Sequence, residues 1–277
     1  MATTDRDRVR RVNSRQNSLV KDLRRAFQHS ELVEGHCAIE GVRVIEEAIR
    51  SGLRLKALFF ADSAEPRMDK LLPQISSHVE VIALPDDVFN SAVATETPQG
   101  VAALVRWPEF SWKPLLEKPD LLLLGTIGIQ DPGNLGTIIR SADAFGADAV
   151  LLGEKTVSEF NPKAIRASAG SSFRLSTFHV KQQQIEEIKS KGVRVALTSS
   201  HKGVAISDSD LTGSIAILIG SEGAGISKDY IGLADEFIKV PQSPKVESLN
   251  AAIASSVILY EAQRQRQLRH RGTEIQS

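Results

Sequence analysis

The chain has 277 residues, 42% hydrophobic and 25% charged, with 34 basic and 34 acidic side chains and a formal net charge of zero. That length suits two ordinary domains, each with its own core, and the balanced charge argues against a generically basic nucleic-acid protein. No apolar run reaches the roughly 18 residues of a membrane span, and the charged start is not followed by a signal-peptide segment, so a cytoplasmic protein without membrane contact is expected.

Charge is uneven along the chain. Residues 1–30 carry eight cations, Arg6, Arg8, Arg10, Arg11, Arg15, Lys21, Arg24 and Arg25, against three acids. That excess suits either contact with phosphates or a solvated tail. The spacing then predicts a helix over Asn17–Phe27, a strand over His36–Ile39, and a helix over Gly41–Arg50 with Val42, Ile45 and Ile49 on one face. Short β-rich runs follow at Leu55–Ala61, Val79–Leu84 and Val101–Val105. Residues 1–106 therefore read as a compact α/β domain. Pro108, Pro114 and Pro119, with no amphipathic period around them, predict a semi-rigid linker over 107–119 whose Trp107 and Trp112 pack between domains.

From residue 120 to 277 the alternation is more regular. Leu121–Leu124, Ala149–Leu152, Val193–Thr198, Ile215–Ile219 and Phe237–Val240 are near-continuous apolar runs, as expected of strands buried on both faces of a parallel sheet with helices between them. A last helix, Ser248–Arg269, combines Leu249, Ile253, Val257 and Tyr260 with many alanines and serines, a density of small residues that permits close helix approach within or between chains.

Three strand ends in this second half share one grammar: an apolar run, a loop of Gly or Pro with small polar residues, then a helix start. They are Asp131-Pro132-Gly133-Asn134-Leu135-Gly136, Gly220-Ser221-Glu222-Gly223-Ala224-Gly225, and Val240-Pro241-Gln242 leading to Ser248-Leu249-Asn250. Ligands on parallel sheets bind beyond the carboxyl ends of the strands, so the three loops predict one composite site. The second loop is not G-x-G-x-x-G, and neither Gly-rich loop has the lysine followed by Ser or Thr of a phosphate-binding loop, which disfavours dinucleotide and ATP chemistry. A single cysteine, Cys37, and six scattered histidines leave no disulfide and no metal-ligand spacing; the thiol is read as buried or idle. Lys163 and Arg166, on one side of a short helix after Asn161-Pro162, suit either RNA phosphates or solvent. On local grounds Ser248 and Asn250 are helix caps.

Taken together, the loops resemble the three motifs of the SpoU/TrmH family of RNA 2'-O-ribose methyltransferases, in the SPOUT superfamily. The first motif matches through Asn134, Gly136, Arg140, Ala142, Ala144, Phe145 and Gly146, the second through Gly220, Ser221, Glu222, Gly223 and Gly225. The third matches through Pro241, Val246, Ser248, Leu249, Asn250 and Glu261, and departs from the family at Gln242 and Pro244, where a Met and then a Gly are usual.

The resemblance covers the catalytic domain from about residue 120 to 265, and Ser14–Arg106 resemble the RNA-binding domain that many members carry. It implies an α/β fold with a C-terminal parallel-sheet domain tied in a trefoil knot, behind a smaller N-terminal RNA-binding domain. It also implies methyl transfer from S-adenosylmethionine to ribosomal or transfer RNA, with no metal, by a homodimer. Asn134, Arg140, Glu222, Ser248 and Asn250 become the candidate catalytic residues, with Arg140 pointing towards the same mouth as Asn134. Thr198, Gly220, Val240, Gln242 and Leu249 become the cofactor candidates. Arg140 is expected to grip a substrate phosphate and stabilise the developing alkoxide, and Glu222 to orient Arg140 or Asn134 or to hold its own loop. A chain starting near Lys118 is expected to fold and bind cofactor while binding RNA more weakly. Two rival readings are an RNA-binding protein that keeps the fold without catalysis and a dinucleotide-dependent oxidoreductase.

Overall fold

The computed structural model describes residues 8–95, 97–221, 225–226 and 228–274. The chain divides into two compact units, one of Met1–Glu109 with Ser158–Arg174, the other of Phe110–Val157 with Leu175–Ser277.

The first unit runs β1 (Val9–Arg11), α1 (Ser18–His29), β2 (His36–Glu40), α2 (Val42–Arg50), β3 (Leu55–Ala61), α3 (Glu65–Leu71), β4 (Glu80–Leu84), α4 (Asp86–Asn90) and β5 (Val101–Arg106). Its five strands lie in the order β1-β4-β3-β5-β2, with β5 antiparallel to both β2 and β3. Helix α1 forms because Leu19, Val20, Leu23, Ala26 and Phe27 fall on one buried stripe, and because the Asn17 side chain accepts the Leu19 N–H to satisfy its first turn. Glu40, buried at the end of β2, has its charge met by the Gln99 N–H at 2.7 Å and by the Thr95 hydroxyl. Cys37 is buried on β2, and burial, reinforced by nearby Glu159, pushes its thiol well above the ordinary range, so no reactive thiolate forms there.

Most of the basic residues in the first thirty are engaged within this unit. Arg10 pairs with Glu80, Arg11 with Asp62, Arg15 with Asp87 and Arg25 with Glu31, while Arg8 donates to the carbonyls of Leu72, Ile75 and Ser76. The four ion pairs are solvent-exposed and worth about 0–1 kcal/mol each, so exchanging a carboxylate for another anion costs little. Arg6 lies outside the described residues.

The second unit runs α5 (Trp112–Leu116), β6 (Leu122–Ile127), α6 (Pro132–Ala144) and β7 (Ala149–Leu152), then leaves for α7 (Pro162–Ser168), which belongs to the first unit. It resumes with β8 (Ser176–His179), α8 (Gln182–Ser190), β9 (Arg194–Thr198), β10 (Val204–Ala205), β11 (Ile215–Gly220), α9 (Lys228–Ile231), β12 (Glu236–Lys239) and α10 (Ala251–Glu274). Seven strands form one sheet in the order β10-β12-β9-β11-β6-β7-β8, every neighbouring pair parallel. Alternate residues feed opposite cores: Leu122, Leu124, Ile215 and Ile217 pack with α6 and α10, and Leu121, Leu123, Ala216 and Leu218 with α8. With both faces covered, the strands read as unbroken apolar runs instead of alternating ones.

Two expectations need correction. The segment 107–119 is not a semi-rigid linker but part of both cores: Trp107 is buried in the first unit against Phe160 and Phe173, with ring centroids at 5.0 and 5.9 Å, and α5 buries Leu115 and Leu116 in the second. The tryptophans are therefore divided between the units, Trp112 packing on Phe178 and donating its indole N–H to Glu187 at 3.0 Å. The second correction concerns 158–174, which the sequence places in the C-terminal domain. Ile165 and Phe173 complete the core of the first unit, the Ser158 hydroxyl donates to the Ser30 carbonyl at 2.6 Å, and Arg174 pairs with Glu47 at 2.9 Å. Gly170, at φ 89°, lies so close to Glu47 that a side chain there has no room. The chain thus passes between units three times. No helix among the described residues is long and apolar enough to cross a membrane.

Candidate active site

The carboxyl ends of β9, β11 and β12 release their loops on one edge of the second sheet, beside the point where the strand order turns at β6. Between them lies a cavity of about 380 Å³. Leu197, Ile219, Leu249 and Ile258 give it apolar walls; Thr198, Gln242 and Ser248 supply polar groups.

Gly220 ends β11 where the chain doubles back: the Gly225 N–H donates to the Ser221 carbonyl at 3.0 Å, and a Cβ on Gly220 would stand 2.5 Å from the Gly225 carbonyl carbon. Only glycine permits that approach. The loop after β6 adjoins it, since a Cβ on Gly128 would stand 3.7 Å from Ser221.

The first and third loops are joined by one hydrogen bond. The Asp131 carboxylate caps α6 by accepting the Asn134 N–H at 2.8 Å, which sets Asn134 in the first turn. There its side-chain oxygen accepts from the Asn250 amide at 3.1 Å. Asn250 meanwhile caps α10, its own oxygen accepting the N–H groups of Ala252 at 3.0 Å and Ile253 at 3.3 Å. One residue therefore performs both the capping expected of it and a link across the site. Farther along the two helices the Ser141 and Ser256 hydroxyls meet at 2.7 Å.

Of the ten candidate residues, Thr198, Gly220, Val240, Gln242, Leu249 and Ser248 line the cavity. Asn134 and Asn250 are bonded to each other and do not line it. Arg140 does not share the direction of Asn134: six residues at about 100° each set the two side chains about 120° apart around α6 and about 9 Å apart along it. Instead it is exposed on the outer stripe with Thr137 and Ala144, and its guanidinium has no hydrogen-bond or ion-pair partner among the described residues. Glu222 lies outside the described residues. The sequence did not flag Ser199, Ser200, His201, Lys202 or Phe237, all on the cavity wall. The only available signal was that a polar run follows the apolar end of β9.

The SpoU rRNA Methylase family model matches residues 121–260, and an MRM3-like substrate binding domain model matches residues 17–103. The 23S rRNA (guanosine(2553)-2'-O)-methyltransferase RlmP of Bacillus subtilis is 32% identical over 254 residues, covering 91% of this chain and 98% of that protein. This chain belongs to the SpoU rRNA methylase family. A 23S rRNA (uridine(2479)-2'-O)-methyltransferase of Streptomyces viridochromogenes is 31% identical over 240 residues, 84% of each protein. Among solved structures, the SpoU methyltransferase AviRb from Streptomyces viridochromogenes in complex with AdoMet superposes with a TM-score of 0.76 at 29% identity, covering 90% of this chain and 98% of that one. An AdoMet-bound rRNA methyltransferase from Sinorhizobium meliloti gives 0.76 at 26% identity, covering 93% and 98%.

Within this SpoU chain the departure at Gln242 has a structural consequence. Its amide donates to the carbonyls of Val246 at 3.4 Å and Glu247 at 3.3 Å, long bonds that fold the third loop back on itself. Glu261, the last matching residue of the third motif, takes both the Nε and an Nη of Arg264, at 2.8 and 2.7 Å, and the Gln265 amide at 2.9 Å. The Arg264 hydrogen bonds hold its carboxyl below the usual carboxylate range. Gln265 in turn donates to the carbonyls of Ile206 and Ser209, which fastens the segment after β10 to α10.

Proposed function

We propose that this protein transfers a methyl group from S-adenosylmethionine to a ribose 2'-oxygen of ribosomal RNA. The observation that carries the reading is the cavity at the ends of β9, β11 and β12, in a chain that matches named ribose methyltransferases over most of both lengths. Its size and lining fit an adenosyl ligand: a few hundred cubic ångströms, mainly apolar walls and a small set of polar groups. Thr198, Gly220, Val240, Gln242 and Leu249 hold the cofactor, which when bound supplies an electrophilic methyl group on its sulfonium.

The protein's own part is positioning and charge. The Asn134–Asn250 bond fixes the start of α6 against the start of α10, so the substrate side and the cofactor side of the site move as one. Ser248, exposed on the cavity wall, meets the ribose edge. Arg140 is permanently protonated and so is no general base. Exposed and unpaired among the described residues on the outer stripe of α6, it takes an RNA phosphate beside the target nucleotide and so sets the position of the 2'-oxygen, while the proton leaves to phosphate or water. The first unit selects the RNA; among its cations Lys21, Arg43, Arg54 and Arg166 are exposed without side-chain partners among the described residues. We place the enzyme in the cytoplasm with its ribosomal substrate, and read its last segment, β12 through α10, as threaded into a trefoil knot; in support, β11 lies between β9 and β6 and α10 packs back on α6.

Replacing the target ribonucleotide by its 2'-deoxy analogue should eliminate methyl incorporation while RNA binding persists through the surrounding phosphates. Incorporation into the deoxy-substituted nucleotide would move the reaction to a base atom.

The enzyme acts as a homodimer through α10. Ile253, Val257 and Tyr260 recur every three or four residues on one side of the helix and are 55, 38 and 55% exposed, with Phe145 edge-on to Tyr260 at 5.9 Å. Such a stripe suits an isologous contact. Light scattering at micromolar concentration should give twice the 30.1 kDa chain mass, and Tyr260→Asp should lower it to one chain. A fully active wild-type monomer rejects the assignment.

A further inference from the structure

Lys202 is the one Lys, Arg, Asp or Glu among the described residues that line the cavity, and the fold holds it there. The loop between β9 and β10 is short and tied at both ends. The Ser199 N–H donates to the Ile238 carbonyl at 3.0 Å, and the Ser199 hydroxyl oxygen accepts the N–H groups of His201 at 3.3 Å and Lys202 at 3.2 Å. At Gly203, φ 107°, the backbone passes so close to the Phe237 carbonyl that no side chain fits, and Val204 then pairs with Ile238 in the sheet. The Lys202 ammonium comes to rest 3.8 Å from the centroid of the Phe237 ring, itself a wall of the cavity. A lysine in a polar loop ordinarily extends into water; this one is folded back over an aromatic face, which leaves its N–H groups free for an anion.

We propose that Lys202 is a specificity-determining residue that recognises the carboxylate of the cofactor's methionine tail. The inference rests on the reading of this cavity as the S-adenosylmethionine site. That ligand carries a sulfonium, an ammonium and a single carboxylate. A fixed cation in the wall repels the first two and attracts only the third, so it admits the ligand in one orientation and selects against analogues that lack the carboxylate. A charge-assisted hydrogen bond at a partly solvated rim is worth about tenfold in affinity.

The test is calorimetric titration of the full-length protein with S-adenosylmethionine and with decarboxylated S-adenosylmethionine, for the wild type, Lys202→Met and Lys202→Arg. Methionine keeps the packing on Phe237 and removes the charge. The wild type should bind the complete cofactor about tenfold or more tighter than the decarboxylated one. Lys202→Met should weaken the complete cofactor by about that factor and leave the decarboxylated one unchanged or modestly tighter, because the repulsion of its sulfonium and ammonium is relieved, and Lys202→Arg should restore the preference. Equal weakening of both ligands would show a merely structural role and overturn the proposal. Unchanged affinity for S-adenosylmethionine, with weaker RNA binding and a shallower salt dependence, would overturn it in favour of an RNA phosphate contact. A wild type that binds S-adenosylmethionine without discriminating between the two overturns this inference alone; a wild type that binds neither overturns the cavity assignment beneath it.

Discussion

Arg140→Ala should lower turnover on ribosomal RNA by about a hundred- to a thousandfold while leaving S-adenosylmethionine affinity within about threefold. The guanidinium is exposed on the outer stripe of α6, does not line the cavity, and has no partner among the described residues. Its loss therefore removes nothing that holds the fold, and stability should stay within about 0.5 kcal/mol of the wild type. On the proposed function, what disappears is the cation that meets the substrate, so kcat and kcat/KM should fall together. Arg140→Lys should recover only part of the rate, because an ammonium supplies the charge without the planar fork that grips phosphate in two places. Single-turnover kinetics alongside cofactor calorimetry measure both quantities. Near-normal turnover in the alanine variant ends the assignment, and a collapse of cofactor affinity would place Arg140 in the cofactor site instead.

How much of this was visible in the sequence depends on whether a feature is local. Strands β6, β9 and β11 were legible because both faces are buried and their residues run unbroken from Leu121 to Leu124, Val193 to Thr198 and Ile215 to Ile219. Strand β8, Ser176–His179, was not: it is one of the two edge strands, half-exposed and polar, and carries no apolar run. Strand β1 is three residues of which two are arginines, and only its parallel pairing with Val81–Ala83 makes it a strand. The cavity-lining candidates were readable because strand ends and glycines announce where loops turn. Lys202 was not, because its position depends on Phe237, which lies on a different strand. Arg140 shows the limit of spacing: six residues bring two side chains near in sequence and still separate them by about a third of a turn.

The same distinction governs the second large effect, which reverses what the sequence suggests about the catalytic half alone. A chain beginning at Lys118 should not fold into a soluble, cofactor-binding unit, whereas one that begins at Phe110, and so keeps α5, with 158–174 replaced by a Gly/Ser stretch of equal length should. One reason is the loss of α5, which buries Leu115 and Leu116 in the second unit; the other is the excursion into the first unit. Ile165 and Phe173 are 2 and 3% exposed in the intact protein, and Phe160 packs edge-on to Trp107. Removing the first unit returns these groups to water at about 1.5–3 kcal/mol each, and leaves Arg174 without Glu47. A sticky apolar segment on a unit of marginal stability favours aggregation over folding. The replaced version lacks those apolar groups and keeps the whole second sheet and every residue lining the cavity, so it should melt cooperatively and bind S-adenosylmethionine with nearly full affinity. Its RNA binding should be weaker with a shallower dependence on salt, because the cations of the first unit no longer neutralise phosphates. Circular dichroism melts, gel filtration and calorimetry on the two chains decide the matter. If the chain beginning at Lys118 folds and binds cofactor with its native 158–174 in place, then that segment does not need the first unit to cover it, and the two halves separate as cleanly as the sequence implied.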